Sequence, residues 1–191
     1  MNHTKAPFRY DIVGSFLRPE ALKNAREAFV RNEITAAQLE AAEDAAIARL
    51  VAKERDIGLL AVTDGEFRRR YWHLDFLAAL GGVEEIGATQ WSVAFKGAQP
   101  KAATIKITDQ VDFSGHPFLA HFRYLNSLAG DARAKMTIPS PSMLHLISCV
   151  RATDYKPIPR YENEETLFED IARAYQKAIR AFYEAGCRYL Q

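Results

Sequence analysis

The strongest constraint on the fold is a long amphipathic helix pattern that is followed at once by a short strand pattern. Thr35 and Gln38 have the spacing of a capping box, and Gly58 stands where a helix-terminating glycine is expected. Between them, apolar residues recur at helical spacing: Leu39, Ala42, Ala46, Ile47, Leu50 and Val51. The run Leu59 to Thr63 then predicts a buried strand. A helix that leads directly into such a strand is typical of a parallel α/β sheet.

Strand and helix patterns alternate along the rest of the chain. Strands are predicted at Tyr10–Phe16, Leu59–Thr63, Ala103–Thr108, Ala134–Pro139 and Cys187–Gln191. Helices are predicted at about 20–31, 35–58, 71–77, 117–128, 143–150 and 164–185, the last with Leu167, Ile171, Tyr175, Ile179 and Phe182 inward. Alternating residues from Val83 to Pro100 predict an inserted β-hairpin. Five strands in 191 residues indicate an unfinished (β/α) barrel, because a complete one takes about 250 residues.

Two carboxylates follow the second predicted strand directly. Gly65 allows a tight turn, so Asp64 and Glu66 can point into one space, where carboxylates hold an ammonium group or move a proton. The alternative interpretation is a solvated loop whose acids pair with the arginines at positions 68–70. The spacing alone does not decide between these interpretations.

Two further loops with hydroxyl groups follow predicted strands. Gly14 and Ser15 end the first strand and offer backbone N–H groups to a carboxylate or phosphate. Ser140, Pro141 and Ser142 follow the fourth strand as a rigid turn. In a barrel, the carboxyl ends of the strands carry the site, so these loops are expected to share one rim.

Composition excludes several functional classes. The chain has 25 basic and 24 acidic residues, which argues against nucleic acid and anionic membranes as partners. It has no apolar run long enough for a membrane span or a signal peptide, so we expect a cytoplasmic protein. Cys149 and Cys187 form no zinc-finger spacing, and Cys187 is interpreted as a small buried hydrophobe. His116 and His121, five residues apart, are interpreted as structural.

Several motifs together resemble one known family. They are Ile12–Pro19, Glu43-Asp44, Val62–Arg69, Trp72–Phe76, Lys135–Met143 and Gly186–Gln191. The sequence resembles the cobalamin-independent methionine synthases, and in particular their short bacterial members, the 5-methyltetrahydropteroyltriglutamate–homocysteine methyltransferase-like proteins. The resemblance implies a single partial domain over residues 1–191, the N-terminal half of a (β/α)8 TIM barrel with about five strands and the hairpin around 83–100.

The resemblance also assigns roles to residues. It implies that Gly14 and Ser15 bind the homocysteine carboxylate and that Glu66 holds the amino group, supported by Asp64 and Arg69. It implies, more weakly, that the loop with Ser140 and Ser142 lies beside the folate. These residues are candidates for substrate binding, and no catalytic residue is assigned.

Zinc is the cofactor that the resemblance implies for the full-length family. Its ligands come from later strands, so we expect them to be absent from this chain. His145 and Cys149 lie four residues apart on a predicted helix but match no family ligand. A zinc-bound thiol is deprotonated, whereas a thiol with its ordinary pKa near 8.5 is mostly protonated at neutral pH. We therefore expect the 191-residue chain to be inactive by itself.

The resulting hypothesis is the N-terminal part of a methyltransferase. The whole enzyme would move a methyl group from a donor such as methyltetrahydrofolate to homocysteine or a similar small thiol. One alternative is an alkyl transferase that acts on another thiol. Another is a non-catalytic fold fragment that binds an amino acid or a partner. An unpaired sheet edge predicts self-association or a missing C-terminal half.

Overall fold

Helices and short strands follow one another along the chain. We describe a computed structural model that covers residue 8 and residues 10–87, 103–152 and 154–191. The elements in chain order are α1 (Glu20–Val30), α2 (Ala36–Asp56), β1 (Ala61–Val62), α3 (Leu74–Leu77), β2 (Gly81–Gly87), β3 (Ala103–Asp112), α4 (Phe118–Leu128), β4 (Arg133–Ala134), α5 (Pro141–His145) with a π-helical turn (Leu146–Val150), a 3₁₀ turn (Pro159–Tyr161) and α6 (Glu164–Glu184). No helix in the described part combines the length and apolar character that crossing a membrane requires.

The chain divides into two compact units. The first contains residues up to Trp72 together with Leu119–Thr137 and Phe182–Gln191. The second contains His73–Phe118 and Ile138–Ala181. The α/β character is confirmed, whereas a single domain over 1–191 and the half barrel stay predictions, and two of the five predicted barrel strands are corrected below.

Helix α2 of the first unit has the predicted boundaries. The Thr35 hydroxyl accepts from the Gln38 backbone N–H, and the Gln38 side chain accepts from the Thr35 backbone N–H, so the capping box is confirmed. Gly58 follows the helix with φ +82°, a conformation that favours glycine. Ala46, Ile47 and Val51 are buried, as the helical spacing predicts.

A small parallel sheet also lies in the first unit. Strand β1 pairs in parallel with β4, with Ala61 opposite Arg133 and Val62 opposite Ala134. On the other side of this segment, Met136 forms a parallel bridge with Leu190. The predicted second, fourth and fifth strands are therefore parallel neighbours, although each is shorter than predicted.

The prediction of a first strand at Tyr10–Phe16 is wrong, because residues 10–16 contain no strand. Their contacts explain why. The Ile12 carbonyl accepts from the Lys135 ammonium group, and the Phe16 N–H donates to the Gly65 carbonyl. Side chains and single backbone bonds hold this segment in place of a ladder of strand hydrogen bonds.

The second unit contains an antiparallel pair of strands. Strand β3 pairs with β2 from Val83 opposite Ile107 to Gly87 opposite Ala103. The strand predicted at Ala103–Thr108 therefore exists, but its place in the parallel sheet is wrong. Ile105 and Ile107 are buried while Lys106 between them is exposed, which is the pattern of an antiparallel sheet with one solvated face. The first limb of the predicted hairpin at 83–100 falls in β2, and positions 88–100 lie outside the described residues.

The core of the second unit contains an aromatic cluster. The Phe76 ring lies 4.5 Å from the His116 ring and 5.9 Å from the Tyr175 ring, between centroids. The Phe118 N–H donates to His116 Nδ1, and His116 Nε2 lies 3.0 Å from the Phe76 carbonyl. Burial lowers the pKa of His116, so the neutral ring fills the core, as its structural interpretation requires.

Helix α6 buries most of its predicted inner face. Leu167, Ile171, Tyr175 and Phe182 are buried, whereas the prediction for Ile179 is wrong because 56% of it is exposed. Ala174 and Ala178 take the inner positions between them. Ile179 directly follows Ala178, so it lies about 100° further round the helix, on its solvent side.

Candidate functional site

The turn after β1 is buried and held by its own side chains. All residues from Ala61 to Phe67 are buried. The Gly65 N–H donates to Thr63 Oγ1 at 3.2 Å, and the Glu66 N–H donates to Asp64 Oδ1 at 2.9 Å. Gly65 and Glu66 have φ values of +63° and +56°. The interpretation as a solvated loop is therefore wrong, and the described contact of Asp64 shapes the turn.

The Glu66 carboxylate is the centre of a polar cluster. The Ser15 hydroxyl donates to Oε2 at 2.5 Å. Arg69 Nη1 lies 3.2 Å from Oε1, and the Thr137 hydroxyl donates to Oε1 at 3.1 Å. Only 7% of the Glu66 side chain is exposed. Ser15 and Glu66, 51 residues apart in the sequence, therefore face a common space, as the resemblance requires.

Arg18 fixes the loop that carries Ser15. Its Nη2 donates to the carbonyls of Glu66 at 2.8 Å and Arg69 at 2.5 Å, and the Phe16 N–H donates to the Gly65 carbonyl at 3.1 Å. Gly14 has φ +88°, and a Cβ there would meet nothing within 4 Å. Within the described part of the chain, the N–H groups of Gly14 and Ser15 have no acceptor. Such a loop can hold an anion on its backbone.

The arginines after the turn have different roles. Arg69 Nη2 donates to the Thr137 carbonyl at 2.7 Å, so it joins Glu66 to that segment. Arg68 pairs with Glu43 and Asp44 of α2. The Glu43-Asp44 pair, quoted as a motif, is thus a structural clamp between α2 and this turn.

Glu54 connects α2 to the end of β1. Its Oε2 accepts from the Thr63 backbone N–H at 3.1 Å, and its Oε1 lies 3.4 Å from Thr63 Oγ1. Burial raises the pKa of the Glu54 carboxyl to about 7, although both bonds from Thr63 act to lower it. This protonatable group therefore lies directly behind the turn that presents Glu66.

Sequence reasoning did not identify Thr137 or Asp11. Thr137 follows a short strand as Thr63 does, and two hydroxyl residues at the carboxyl ends of neighbouring parallel strands are a signal that could have found it. Asp11 accepts from Lys135 and from the Tyr189 hydroxyl. A lysine inside the apolar segment Ala134–Met136 indicates that an acidic partner is needed.

Ser140 and Ser142 lie in the second unit. Ser140 stands just before α5, and Pro141 is the first residue of that helix, so the proline begins a helix where a rigid turn was predicted. The two hydroxyl oxygens are 2.9 Å apart, and both residues are exposed. A role of these residues beside a methyl donor stays a prediction.

The described residues do not fit a catalytic zinc. They include no group of three or more histidine, cysteine or acidic side chains that could hold a metal ion, whereas a catalytic site needs three protein ligands. His145 Nε2 lies 2.8 Å from Glu164 Oε1. Burial raises the pKa of the Cys149 thiol, which disfavours the thiolate that binds metals. Burial also raises the pKa of Cys187, which is 4% exposed, in agreement with its interpretation as a small hydrophobe.

The cluster around Glu66 is suited to binding. A buried carboxylate beside a hydroxyl can accept hydrogen bonds from an ammonium group, and the backbone N–H groups of Gly14 and Ser15 can donate to a carboxylate. An α-amino acid carries both of these groups. The arrangement therefore matches the two polar ends of a free amino acid.

Comparison with known proteins gives a consistent family match. The family described as "Cobalamin-independent synthase, Catalytic domain" matches residues 9–191. The uncharacterised protein YxjG of Bacillus subtilis is 48% identical over 192 residues, which cover 100% of this chain and 49% of YxjG. The methionine synthase of Saccharolobus solfataricus is 22% identical over 181 residues, which cover 94% of this chain and 50% of that protein.

Two solved structures share the fold. A Listeria monocytogenes protein that carries the name of a vitamin-B12-independent methionine synthase is 45% identical, with a TM-score of 0.80 over 97% of this chain and 51% of that one. A B12-independent methionine synthase from Shewanella, solved in complex with selenomethionine, is 17% identical, with a TM-score of 0.66 over 93% of this chain and 49% of that one. The chain thus spans about half the length of the relatives that it matches.

Proposed function

We propose that this chain, which belongs to the family of cobalamin-independent synthase catalytic domains, supplies the amino-acid-binding part of a methyltransferase. The acceptor would be the thiol of homocysteine or of a similar small amino acid. The methyl donor would be methyltetrahydrofolate or a related compound, held near Ser140 and Ser142. The fold proposed with it is the N-terminal half of a (β/α)8 barrel, supported by the parallel pairing of β1 with β4 and of Met136 with Leu190.

One observation carries this proposal. Ser15 Oγ lies 2.5 Å from Glu66 Oε2, although the loop and the turn that present them are far apart in the sequence. Both oxygens can accept from an ammonium group, and only the carboxylate supplies the charge that makes such a bond strong. The Shewanella protein of the same fold was solved in complex with selenomethionine, which is an α-amino acid as the proposed ligand is.

The chemistry of methyl transfer indicates which part of the reaction this chain can support. A methyl group on an amine has a poor leaving group, so its transfer needs a thiolate acceptor and a proton for the departing nitrogen. The described residues supply neither a metal site nor a thiolate. We assign to this chain the binding and orientation of the amino acid, and we propose that any zinc is held by residues outside it.

The comparisons leave a second candidate acceptor open. YxjG, at 48% identity, is uncharacterised, whereas the methionine synthase of Saccharolobus solfataricus is only 22% identical. Alkyl transfer to a thiol other than homocysteine is therefore the alternative. A non-catalytic protein that uses the same contacts to bind an amino acid is the other alternative, and it shares the test below.

The binding proposal can be tested by calorimetry with a set of ligands. L-Methionine and L-homocysteine should bind, while 4-(methylthio)butanoic acid, which lacks the amine, and 3-(methylthio)propylamine, which lacks the carboxylate, should each bind at least about tenfold more weakly. The variant E164Q, at an exposed glutamate of the second unit, should bind like the wild type. Equal affinity for L-methionine and the acid without an amine would refute an ammonium site at Glu66.

A further inference from the structure

A fully buried lysine joins three segments of the first unit. The Lys135 side chain is 0% exposed. Its ammonium group donates to Asp11 Oδ2 at 2.7 Å and to the Ile12 carbonyl at 2.7 Å, and it lies 5.1 Å from the centre of the Tyr189 ring. The Tyr189 hydroxyl donates to the same Asp11 oxygen at 2.5 Å. We refer to Lys135, Asp11 and Tyr189 as the lysine cluster.

Stability alone does not explain the lysine cluster. Burying an ion pair costs desolvation energy that its attraction often fails to recover, and apolar residues of the same volume usually do as well. Asp11 Oδ1 is buried and has no hydrogen-bond partner among the residues that the structure describes, which adds to this cost. Burial raises the pKa of Asp11, but the bonds from Lys135 and Tyr189 outweigh it and hold that pKa below its usual value. The cluster is therefore a charged, specific contact.

The position of the cluster suggests its use. Residues 10–16 contain no strand, so the Lys135 bonds to Asp11 and Ile12 replace the missing ladder just before Gly14 and Ser15. Thr137 lies two residues after Lys135, and its hydroxyl donates to Glu66. The same short segment thus contacts the backbone before the Ser15 loop through Lys135 and the Glu66 carboxylate through Thr137.

We propose that Lys135 is a positioning residue that sets the distance between Ser15 and Glu66. Its ammonium group fixes the Asp11–Ile12 backbone, and the fixed backbone places the Ser15 hydroxyl against the Glu66 carboxylate. The ligand consequence, tighter binding of an α-amino acid, rests on the proposed function above. The ordering of the loop does not depend on it.

The first test measures loop order without any ligand. Hydrogen exchange of the Phe16 amide, read by NMR, should be at least about tenfold faster in K135M than in the wild type, while amides of α2 keep their rates. D11N/K135M buries no unpaired charge, so it is the second variant if K135M does not fold. K177M is the matched control, because Lys177 makes a 2.6 Å contact with Asp112 in the second unit but is 57% exposed. The K177M substitution should leave the hydrogen-exchange rate of the Phe16 amide unchanged.

The second test asks whether Lys135 acts through Ser15. In calorimetry with L-methionine, S15A and K135M should each weaken binding about tenfold, and S15A/K135M should be no weaker than S15A. A lysine that affected binding independently of Ser15 would give additive losses, about a hundredfold in the double variant, and a lysine that only stabilises the core would leave the affinity of K135M unchanged; either result would contradict the proposal.

The outcomes separate the two proposals. If the Phe16 amide keeps its exchange rate in the folded variants, or if α2 amides accelerate by the same factor, the positioning role is overturned. Additive losses in the binding cycle overturn it as well. If the wild type does not bind L-methionine but Phe16 exchange rises selectively, the proposed function fails and the positioning of the loop by Lys135 stands.

Discussion

At the scale of single residues, Glu66 has an unfavourable backbone conformation. Its φ of +56° lies in the left-handed region, which costs a residue with a Cβ about 1 kcal/mol or more. The bond from its N–H to Asp64 and the contacts of its carboxylate with Ser15, Arg69 and Thr137 hold it there. The turn therefore gives up some stability to direct one carboxylate into the cluster.

Gly65 is needed for the same turn, and G65A should destabilise the protein strongly. A Cβ there would lie 2.5 Å from Leu50 Cδ2 and 3.1 Å from Phe67 Cε1, at φ +63°. The conformational cost and the crowding together should lower the free energy of unfolding by about 2 to 3 kcal/mol. Urea denaturation measures this difference.

G115A is the matched control for G65A. Gly115 has φ +60°, and a Cβ there would meet nothing within 4 Å. Only the conformational cost applies, so the expected loss is about 1 kcal/mol. Equal losses in the two variants would show that Gly65 is not closely packed.

At the scale of elements, the contact between α2 and the end of β1 should make stability depend on pH. In the unfolded chain the Glu54 carboxyl has its ordinary pKa of 4.5, and in the folded protein burial raises that pKa to about 7. Between these values the folded state binds a proton that the unfolded state has lost. The free energy of unfolding therefore falls as pH rises from about 4.5 through 7.

The isosteric variant E54Q isolates this effect. Its amide oxygen can still accept from the Thr63 N–H, and it has no proton to lose. Relative to the wild type, E54Q should gain up to about 3 kcal/mol of stability between pH 4.5 and pH 8. Urea denaturation across this pH range measures the difference, and a constant difference would contradict a raised pKa at Glu54.

The elements that the sequence predicted well are those with local signals. The capping box at Thr35 and the glycine at Gly58 lie within helix α2 or at its ends, so short-range spacing identified its boundaries. The pairing of strands is not local. Ala103–Thr108 was placed in the parallel sheet, although a charged Lys106 between two isoleucines is the alternation typical of an antiparallel strand with one solvated face.

The candidate site shows the same difference between local signals, which the sequence carries, and contacts between distant segments, which it does not. Ser15 and Glu66 were identified through motifs, which implied that the two residues face one space, and the contact of 2.5 Å places them together. Thr137 and the lysine cluster depend on how distant segments come together, and no spacing in the sequence encodes that. The first predicted strand failed for this reason, because a buried lysine holds its backbone.

At the scale of the whole molecule, this chain spans about half the length of its relatives and forms two compact units. The Ser15, Glu66 and Thr137 contacts all lie within the first unit. The proposed amino-acid binding can therefore be examined on this chain, whereas methyl transfer stays a proposal. Self-association of the chain, or its completion by a further half, stays a prediction.

The most direct test of the central claim is the ligand preference of E66Q. By calorimetry, the wild type should bind L-methionine at least about tenfold more tightly than 4-(methylthio)butanoic acid, because a carboxylate holds the ammonium group. E66Q should fold, since its amide oxygen can still accept from Arg69 and Thr137 while its NH2 group can donate to the Ser15 hydroxyl oxygen, and it should bind the two ligands with nearly equal affinity. If E66Q kept the full preference for L-methionine, Glu66 would not hold the amine and the account would be contradicted.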